Sequence, residues 1–293
     1  MKRHFTRRMA YMPTYSKLES CRSTQRKLFN YKLKLYILYY CAFLSLSSSE
    51  SGATLHAQSG ISRLFKAMYW DEIPAYTSMM ESSVLDFQFR NDFCTPELMY
   101  KGIALSLTHG YNSFLATISH DGYTQFGELQ ATTGYARRFG RRFSIAMRGI
   151  YLLRHAEHYV SQHSITIDVS CYCQITPHWG IAVELYNPIR LRRGITGPEI
   201  IPMEFALQLN YQWNEKLLMH FRARKWLPGS FDASIGLLCR PISHLLLAGE
   251  CGLHKLGIGI HVPWRHLIIG INTAWYYRIS FSNTARLQYL FNL

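Results

Sequence analysis

Seven residues stand out as candidates for chemistry: Asp168, Glu184, Glu204, His220, Arg222, Glu250 and Arg286. Each sits in the polar phase of a segment whose residues alternate between polar and apolar. Each therefore shares a face with Gln174, Gln208, Asn210, Gln212, Asp232, His261, Asn272 and Gln288. Acids and bases are about equal in number on that face, so mutual pairing is the economical reading and a charged transport path is the other. Two basic clusters stand apart. Arg138, Arg141 and Arg142, next to Arg137, surround a short turn, and Arg190, Arg192 and Arg193 lie in a long connection. A guanidinium binds phosphate bidentately, which suits the second cluster to lipopolysaccharide phosphates and leaves the first for a partner on the opposite side. As solvated charges, neither requires a ligand.

Other constellations are weaker. His155, His158 and His163 could share a metal ion from one turn, but they fall in a polar loop segment. Cys171-x-Cys173 would be two ligands on one apolar face with no others nearby, and Cys94, Cys239 and Cys251 complete no disulfide framework. His261, His266, Ser282 and Asn283 have the residue types of a lipid hydrolase, yet nucleophilic catalysis needs a base in reach of the nucleophile, which spacing does not supply. We assign no catalytic residue, metal or cofactor, and expect a protein that is not an enzyme.

The elements that must position these residues are strands. Ser164 to Ile175 reads S-I-T-I-D-V-S-C-Y-C-Q-I, a two-residue beat that recurs to the C-terminus. A strand of about a dozen residues is close to what a tilted strand needs to cross a bilayer. From Val84 onward fourteen such runs follow, broken by Gly, Pro, Asn, Asp and Ser: Val84 to Phe89, Gly102 to Thr108, Ser113 to His120, Gly127 to Arg137, Arg142 to Leu153, Ser164 to Ile175, Gly180 to Asn187, Pro202 to Gln212, Lys216 to Lys225, Ser230 to Cys239, Ser243 to Cys251, Lys255 to Pro263, Arg265 to Tyr276 and Ser280 to Asn292. Links after even-numbered runs are tight and those after odd-numbered runs vary, the pattern of short periplasmic turns and longer outer loops. The pattern predicts an all-β fold: a transmembrane antiparallel up-and-down β-barrel of fourteen strands, or twelve if the first hairpin belongs to a plug.

The two faces agree with a lipid-facing wall. From the sixth run onward the apolar phase holds a single charge, Lys225, at a strand end. A Lys or Arg facing lipid near the midplane costs about 2–4 kcal/mol, so the exclusion is expected. Phe139, Trp179, Trp213 and Trp264 fall in the tight turns, and Tyr151, Tyr186, Trp226, Trp275, Tyr276 and Tyr277 at the other strand ends, which predicts two aromatic girdles. Leu287, Tyr289, Phe291 and Leu293 share one phase of the last strand and resemble the C-terminal signal that barrel-assembly machinery reads.

Before the barrel, the sequence divides in two. Residues 1–57 read as an extension and signal peptide: ten Lys/Arg against Glu19 and Glu50, an apolar run from Leu35 to Leu46, and cleavage after Ala53 or Ala57. A lipoprotein anchored at Cys41 is disfavoured by Tyr39 and Tyr40. Residues 58–83, with a short amphipathic turn at Phe65 to Trp70 and an interruption at Pro74, read as a plug or periplasmic segment, and residues 84–293 as the barrel. The formal net charge of +14 is thus mainly a leader property. Export to the outer membrane of a Gram-negative bacterium argues against nucleic acid and for outer-membrane lipids, lipopolysaccharide and the assembly machinery as partners.

Within Ser106 to Leu152, D-G-Y-x-x-F at Asp121 and G-Y-A-x-x-F-G at Gly134, together with Tyr186-Asn187-Pro188 ending a strand, resemble outer-membrane proteins of Bacteroidetes related to the long-chain fatty-acid transporter family, in its PorV/PorQ-type branch. The resemblance implies fourteen strands and either uptake of a hydrophobic small molecule or service to a type IX secretion system. The Asn-Pro-Ala motif usual in the plug of those families is absent; Ile73 to Ser83 reads I-P-A-Y-T-S-M-M-E-S-S, so no binding residue is carried over. The leading expectation is an outer-membrane channel for a hydrophobic or amphipathic small molecule, gated by Ser59 to Ser83. A non-transporting secretion accessory comes second and a lipid-modifying enzyme third.

Overall fold

In the computed structural model, residues 60–95, 97–189, 201–277 and 280–292 are described. The proposed leader and Arg190, Arg192 and Arg193 lie outside them. Fourteen strands follow one another: β1 Ser83–Asp92, β2 Met99–His109, β3 Asn112–Gly122, β4 Phe126–Phe139, β5 Phe143–Ala156, β6 Gln162–Gln174, β7 Trp179–Tyr186, β8 Met203–Asn214, β9 Leu217–Leu227, β10 Phe231–Ile242, β11 Leu245–Gly252, β12 Lys255–Trp264, β13 Leu267–Tyr276 and β14 Phe281–Phe291. Each pairs antiparallel with its sequence neighbours, and β1 pairs with β14 from Ser83 opposite Phe291 to Asp92 opposite Ser282. The first hairpin therefore belongs to the wall, and the closed barrel has fourteen strands. Closure is the physical requirement, because in hydrocarbon an open sheet edge would leave a row of unsatisfied N–H and C=O groups.

Several strands outrun their predicted ends. β1 continues through Arg90, Asn91 and Asp92, which pair with Thr284, Asn283 and Ser282, so the expected long first loop shrinks to Phe93–Leu98. Polar residues broke the sequence pattern there, but a ladder continues for as long as both partners stay paired. The tight turns all gather at one end of the barrel. β2–β3 turns at Gly110 and β4–β5 at Gly140, both at positive φ, where a side chain would clash with its own backbone.

Outward-facing positions carry Phe87, Ile103, Phe114, Ile118, Met147, Ile165, Ile235, Ile258, Ile260 and Ile271, all exposed. Trp179, Tyr211 and Trp213 cluster at the tight-turn end, with ring centroids of Trp179 and Tyr211 4.6 Å apart. At the opposite end the expected girdle is thinner than predicted. Tyr186, Trp226 and Tyr276 pair across the sheet with Glu204 and Lys255 on the inward phase: Tyr186 packs on the inner cluster of Ile150, Leu152 and Ile201, and the other two line the lumen. Position at a strand end had suggested a girdle; strand parity, shared with Arg222 and Arg224, decided otherwise.

Inside the tight-turn half sits a short hairpin made of helix α1, Gly60–Tyr69, and a 3-10 turn, Pro74–Met79. The helix is longer than the turn expected from sequence, and Pro74 starts the 3-10 turn, where its fixed φ suits a first helical position. Ile61, Phe65, Trp70, Tyr76 and Met79 form one buried core with inward side chains from around the wall, among them Ala104, Ala136, Tyr172, Leu218, Leu238, Leu246 and Ile268.

If the outer face meets acyl chains, Ile258→Arg in β12, at a residue 55% exposed, should destabilise the barrel by about 2–4 kcal/mol. Folding titrations into lipid vesicles would read this; an unchanged folding free energy would exclude a lipid-facing position.

Candidate functional site

The hairpin exposes only two acids at its tip, Asp71 and Glu72, and the wall meets them with four inward arginines. From β14, Arg286 donates through Nη2 to Asp71 Oδ1 at 3.0 Å, and from β5, Arg148 donates through Nη1 to the Asp71 carbonyl at 2.7 Å. On β9, Arg222 Nη1 lies 2.5 Å from Glu72 Oε2, and Arg224 donates to the same oxygen at 3.1 Å. Alternate residues of a strand share a face, which is how β9 presents both. At the base of the hairpin, Arg63 bonds Ser82 Oγ at 2.5 Å and approaches Glu81 at 3.7 Å.

Wall side chains satisfy groups of the 3-10 turn that its own backbone bonds, Tyr76 N–H to the Ile73 carbonyl and Met80 N–H to the Thr77 carbonyl, leave over. Ala75 N–H donates to Ser170 Oγ at 3.1 Å, Ser144 Oγ donates to the Ala75 carbonyl at 2.7 Å, and Asn210 donates to the Tyr76 hydroxyl at 2.7 Å. On the other side Gln288 donates to the Ala67 carbonyl at 2.6 Å.

The seven candidate residues from sequence divide among several groups. Asp168 and Glu184 both take Arg148, with Glu184 Oε1 at 3.1 Å. Glu204 lies 3.8 Å from Arg224, and Glu250 pairs with Lys255 at 2.9 Å. Arg286 binds Asp86 on β1 through Nε at 2.8 and 3.0 Å as well as Asp71. His220 packs at a tilt against both Phe65 and Tyr69, which also contact each other, with its Nε2 3.5 Å from the Tyr69 hydroxyl, and leans across Gly236, where any Cβ would collide with it. The tip links the Arg148, Arg222 and Arg286 groups into one charged layer across the lumen. Arg148, Arg224, Asp71, Glu72 and Asp86 were missed. Strand parity could have found Arg148, Arg224 and Asp86, but nothing in the aperiodic plug sequence marks Asp71 and Glu72.

The other candidates disperse. His155 contacts Ser161 at 3.4 Å and His163 contacts Tyr151 at 2.6 Å, and among the described residues no group of metal ligands forms. Ser282 bonds Asp92 while His261 takes Asn272 at 3.0 Å, and Asn283 accepts from Thr273, so the proposed hydrolase residues are engaged elsewhere. Arg138 stacks on Tyr111 at 4.9 Å beside exposed Arg141 and Arg142, and the five described cysteines are free thiols.

Charges on the hairpin respond to burial in opposite ways. Burial pushes the Asp71 carboxyl up, but the Arg286 guanidinium and the Gln88 hydrogen bond outweigh it and hold it below its ordinary value. Lys66 faces the Tyr172 ring at 5.2 Å with no ion pair among the described residues; burial, reinforced by Arg138, lowers its ammonium to about 8.

A closed fourteen-strand wall with an N-terminal plug inside defines the class to which this architecture belongs. No known protein family and no curated protein matches the sequence. Among solved structures the chain resembles the Pseudomonas putida toluene transporter TodX (TM-score 0.59, 7% identity, 77% of this chain and 93% of that one) and the CymD monoaromatic hydrocarbon channel (0.58, 8%, 78% and 93%). It also resembles a Pseudomonas aeruginosa FadL homologue (0.55, 7%, 76% and 93%). At such identities the likeness establishes the fold alone: a closed fourteen-strand antiparallel β-barrel of the kind those proteins adopt.

Arg286→Met should destabilise the protein by about 3–5 kcal/mol, since it strands the buried Asp86 carboxylate, and Asp86→Leu in the same chain should recover much of the loss. Thermal unfolding in detergent would measure both. Lys66 binds its proton less tightly folded than unfolded, so its penalty is full below about pH 8 and fades as pH rises to the ordinary 10.5. Lys66→Met should therefore stabilise the fold at pH 7, by up to about 3 kcal/mol, and flatten the rise in stability between pH 8 and 10.5 seen in the unsubstituted protein.

Proposed function

We propose that this chain is an outer-membrane channel for a small amphipathic molecule, with the hairpin as its gate. One observation carries the reading: the apolar hairpin core fills the tight-turn half of the lumen, while on the far side of the Asp71-Glu72 tip a cavity of about 450 Å³ remains. A static pore needs no removable insert, and a sealed barrel needs no cavity. The polar tethers of the hairpin, charge-assisted hydrogen bonds and hydroxyl contacts, can be exchanged for water, so a shift costs mainly the separation of its apolar core from the inner face and leaves the strand ladder intact. The expectation of a purely hydrophobic cargo fits less well, because Arg222, Arg224, Glu250, Lys255 and Arg286 line the cavity. The hydrocarbon cargo named for the TodX and CymD structures belongs to those proteins.

On this reading the tight turns, including Arg138, Arg141 and Arg142, face the periplasm, and Arg190, Arg192 and Arg193, outside the described residues, have the chemistry for lipopolysaccharide phosphates. The second reading is a non-conducting accessory of a secretion system, of the type IX kind that the sequence resemblance suggests. The closed apolar layer favours it, since nothing passes while the hairpin stays in place.

A reversible lock separates the two. With the native cysteines replaced, Ala75→Cys and Ser170→Cys put thiols on two residues held together by the 3.1 Å hydrogen bond from Ala75 N–H to Ser170 Oγ, and mass spectrometry of the oxidised protein verifies the crosslink. In liposome-swelling assays the reduced barrel should pass small solutes and the oxidised one should pass at least about tenfold less. Equal flux in both states would remove the hairpin as the gate, and no flux in either would leave the accessory reading.

A further inference from the structure

Beside the cavity over the plug tip lies a second one of about 250 Å³, and the two share Arg222, Arg224, Glu250, Lys255 and Tyr276 as walls. Inward glycines stand on the strands around this space, and they differ in whether they leave room. Gly236, Gly259 and Gly270 have the side chains of His220, Asn272 and His261 lying across them, so a Cβ at any of the three would collide. Gly257 differs: a Cβ there would meet nothing closer than 3.6 Å, and the room over it is open lumen.

Around this space three polar atoms lack a hydrogen-bond partner: Arg222 Nη2, Asp232 Oδ1 and Glu250 Oε1. Arg222 is only 6% exposed, with its guanidinium over the Tyr69 ring at 5.0 Å. Charged groups so enclosed normally find partners. The three residues lie on the consecutive strands β9, β10 and β11, and all of them border the smaller cavity. Arg222 stands opposite Ser234, Asp232 opposite Arg224, and Glu250 opposite Gly236. A lone anion finds no surplus of positive charge, since Arg222 and Arg224 already hold Glu72 and Lys255 holds Glu250. A lone cation would leave Arg222 Nη2 unmet. A ligand with both charges close together meets all three.

We propose that this part of the lumen binds a free α-amino acid, its carboxylate taken by Arg222 and its ammonium by Asp232 and Glu250, with its side chain beside Trp226 and Tyr276. This rests on the channel reading and names the substrate class of that channel. The test uses the full chain purified in detergent and three probes followed by titration calorimetry: L-leucine, its methyl ester, which keeps only the ammonium, and N-acetyl-L-leucine, which keeps only the carboxylate. L-leucine should bind, with each singly charged analogue weaker by at least about tenfold. Asp232→Asn, which breaks no bond in the structure, should weaken leucine binding at least about tenfold, and Gly257→Trp should abolish it, both with the heat-modified electrophoretic mobility of a folded barrel. N-acetyl-L-leucine binding as well as leucine, or no heat up to about 10 mM leucine because the cavity holds only water, would overturn the proposal. Solute flux in liposomes is scored separately. Flux without leucine binding removes the amino-acid site and leaves the channel, whereas binding without flux keeps the site and removes the channel.

Discussion

Backbone hydrogen bonding in hydrocarbon is the constraint on which everything else in this molecule depends. A strand surrounded by lipid must pair on both edges, so the sheet has to close, and it closes where β1 meets β14. Closure then separates two solvents. One phase of each strand faces outward and is mainly apolar, as with Ile258, Ile260 and Ile271, while the other is confined with its neighbours inside a cylinder. Polar side chains on the inner phase are cut off from bulk water by the wall itself, so they must pair with one another or with whatever fills the lumen.

The N-terminal hairpin supplies that filling, and it solves two problems at once. Its apolar side chains cover the inner-phase residues that would otherwise face an empty tight-turn half, such as Leu218, Leu238, Leu246 and Ile268. Its tip meets four arginines, of which Arg148, Arg224 and Arg286 also hold wall acids, whereas the ion pair of Arg222 among the described residues is with Glu72 of the tip. Arg286 shows how tightly these are coupled, since one guanidinium holds a wall acid, Asp86, and a plug acid, Asp71. Removing the hairpin would leave Arg222 without its ion pair and take one partner from each of the other three, so the charge pairing of the wall and the seating of the hairpin depend on one set of contacts.

Much of this was legible in the residues. Alternation from Ser164 to Ile175 and its recurrence marked the strands, and the chemistry of each phase marked inside and outside. Strand ends were less legible, because Arg90, Asn91 and Asp92 interrupt the apolar beat while their backbones go on pairing with β14. Trp226 and Tyr276 were misjudged from position rather than parity. The hairpin was the hardest part: Phe65 to Trp70 suggested a turn, but a helix formed by burial against a wall distant in sequence leaves only a faint local signal.

The alternating pattern by itself determined the architecture class, the lipid-facing surface and the set of polar side chains that look inward, because strand geometry repeats every two residues and needs no knowledge of neighbours. Tertiary structure alone decided which inward charge meets which, that Arg148 gathers Asp168 and Glu184 while Arg222 turns to Glu72, and that space stays open over Gly257 but not over Gly236. Those outcomes depend on strand register around a closed ring and on where a separate segment comes to rest within it, and neither is encoded in the period of any one strand.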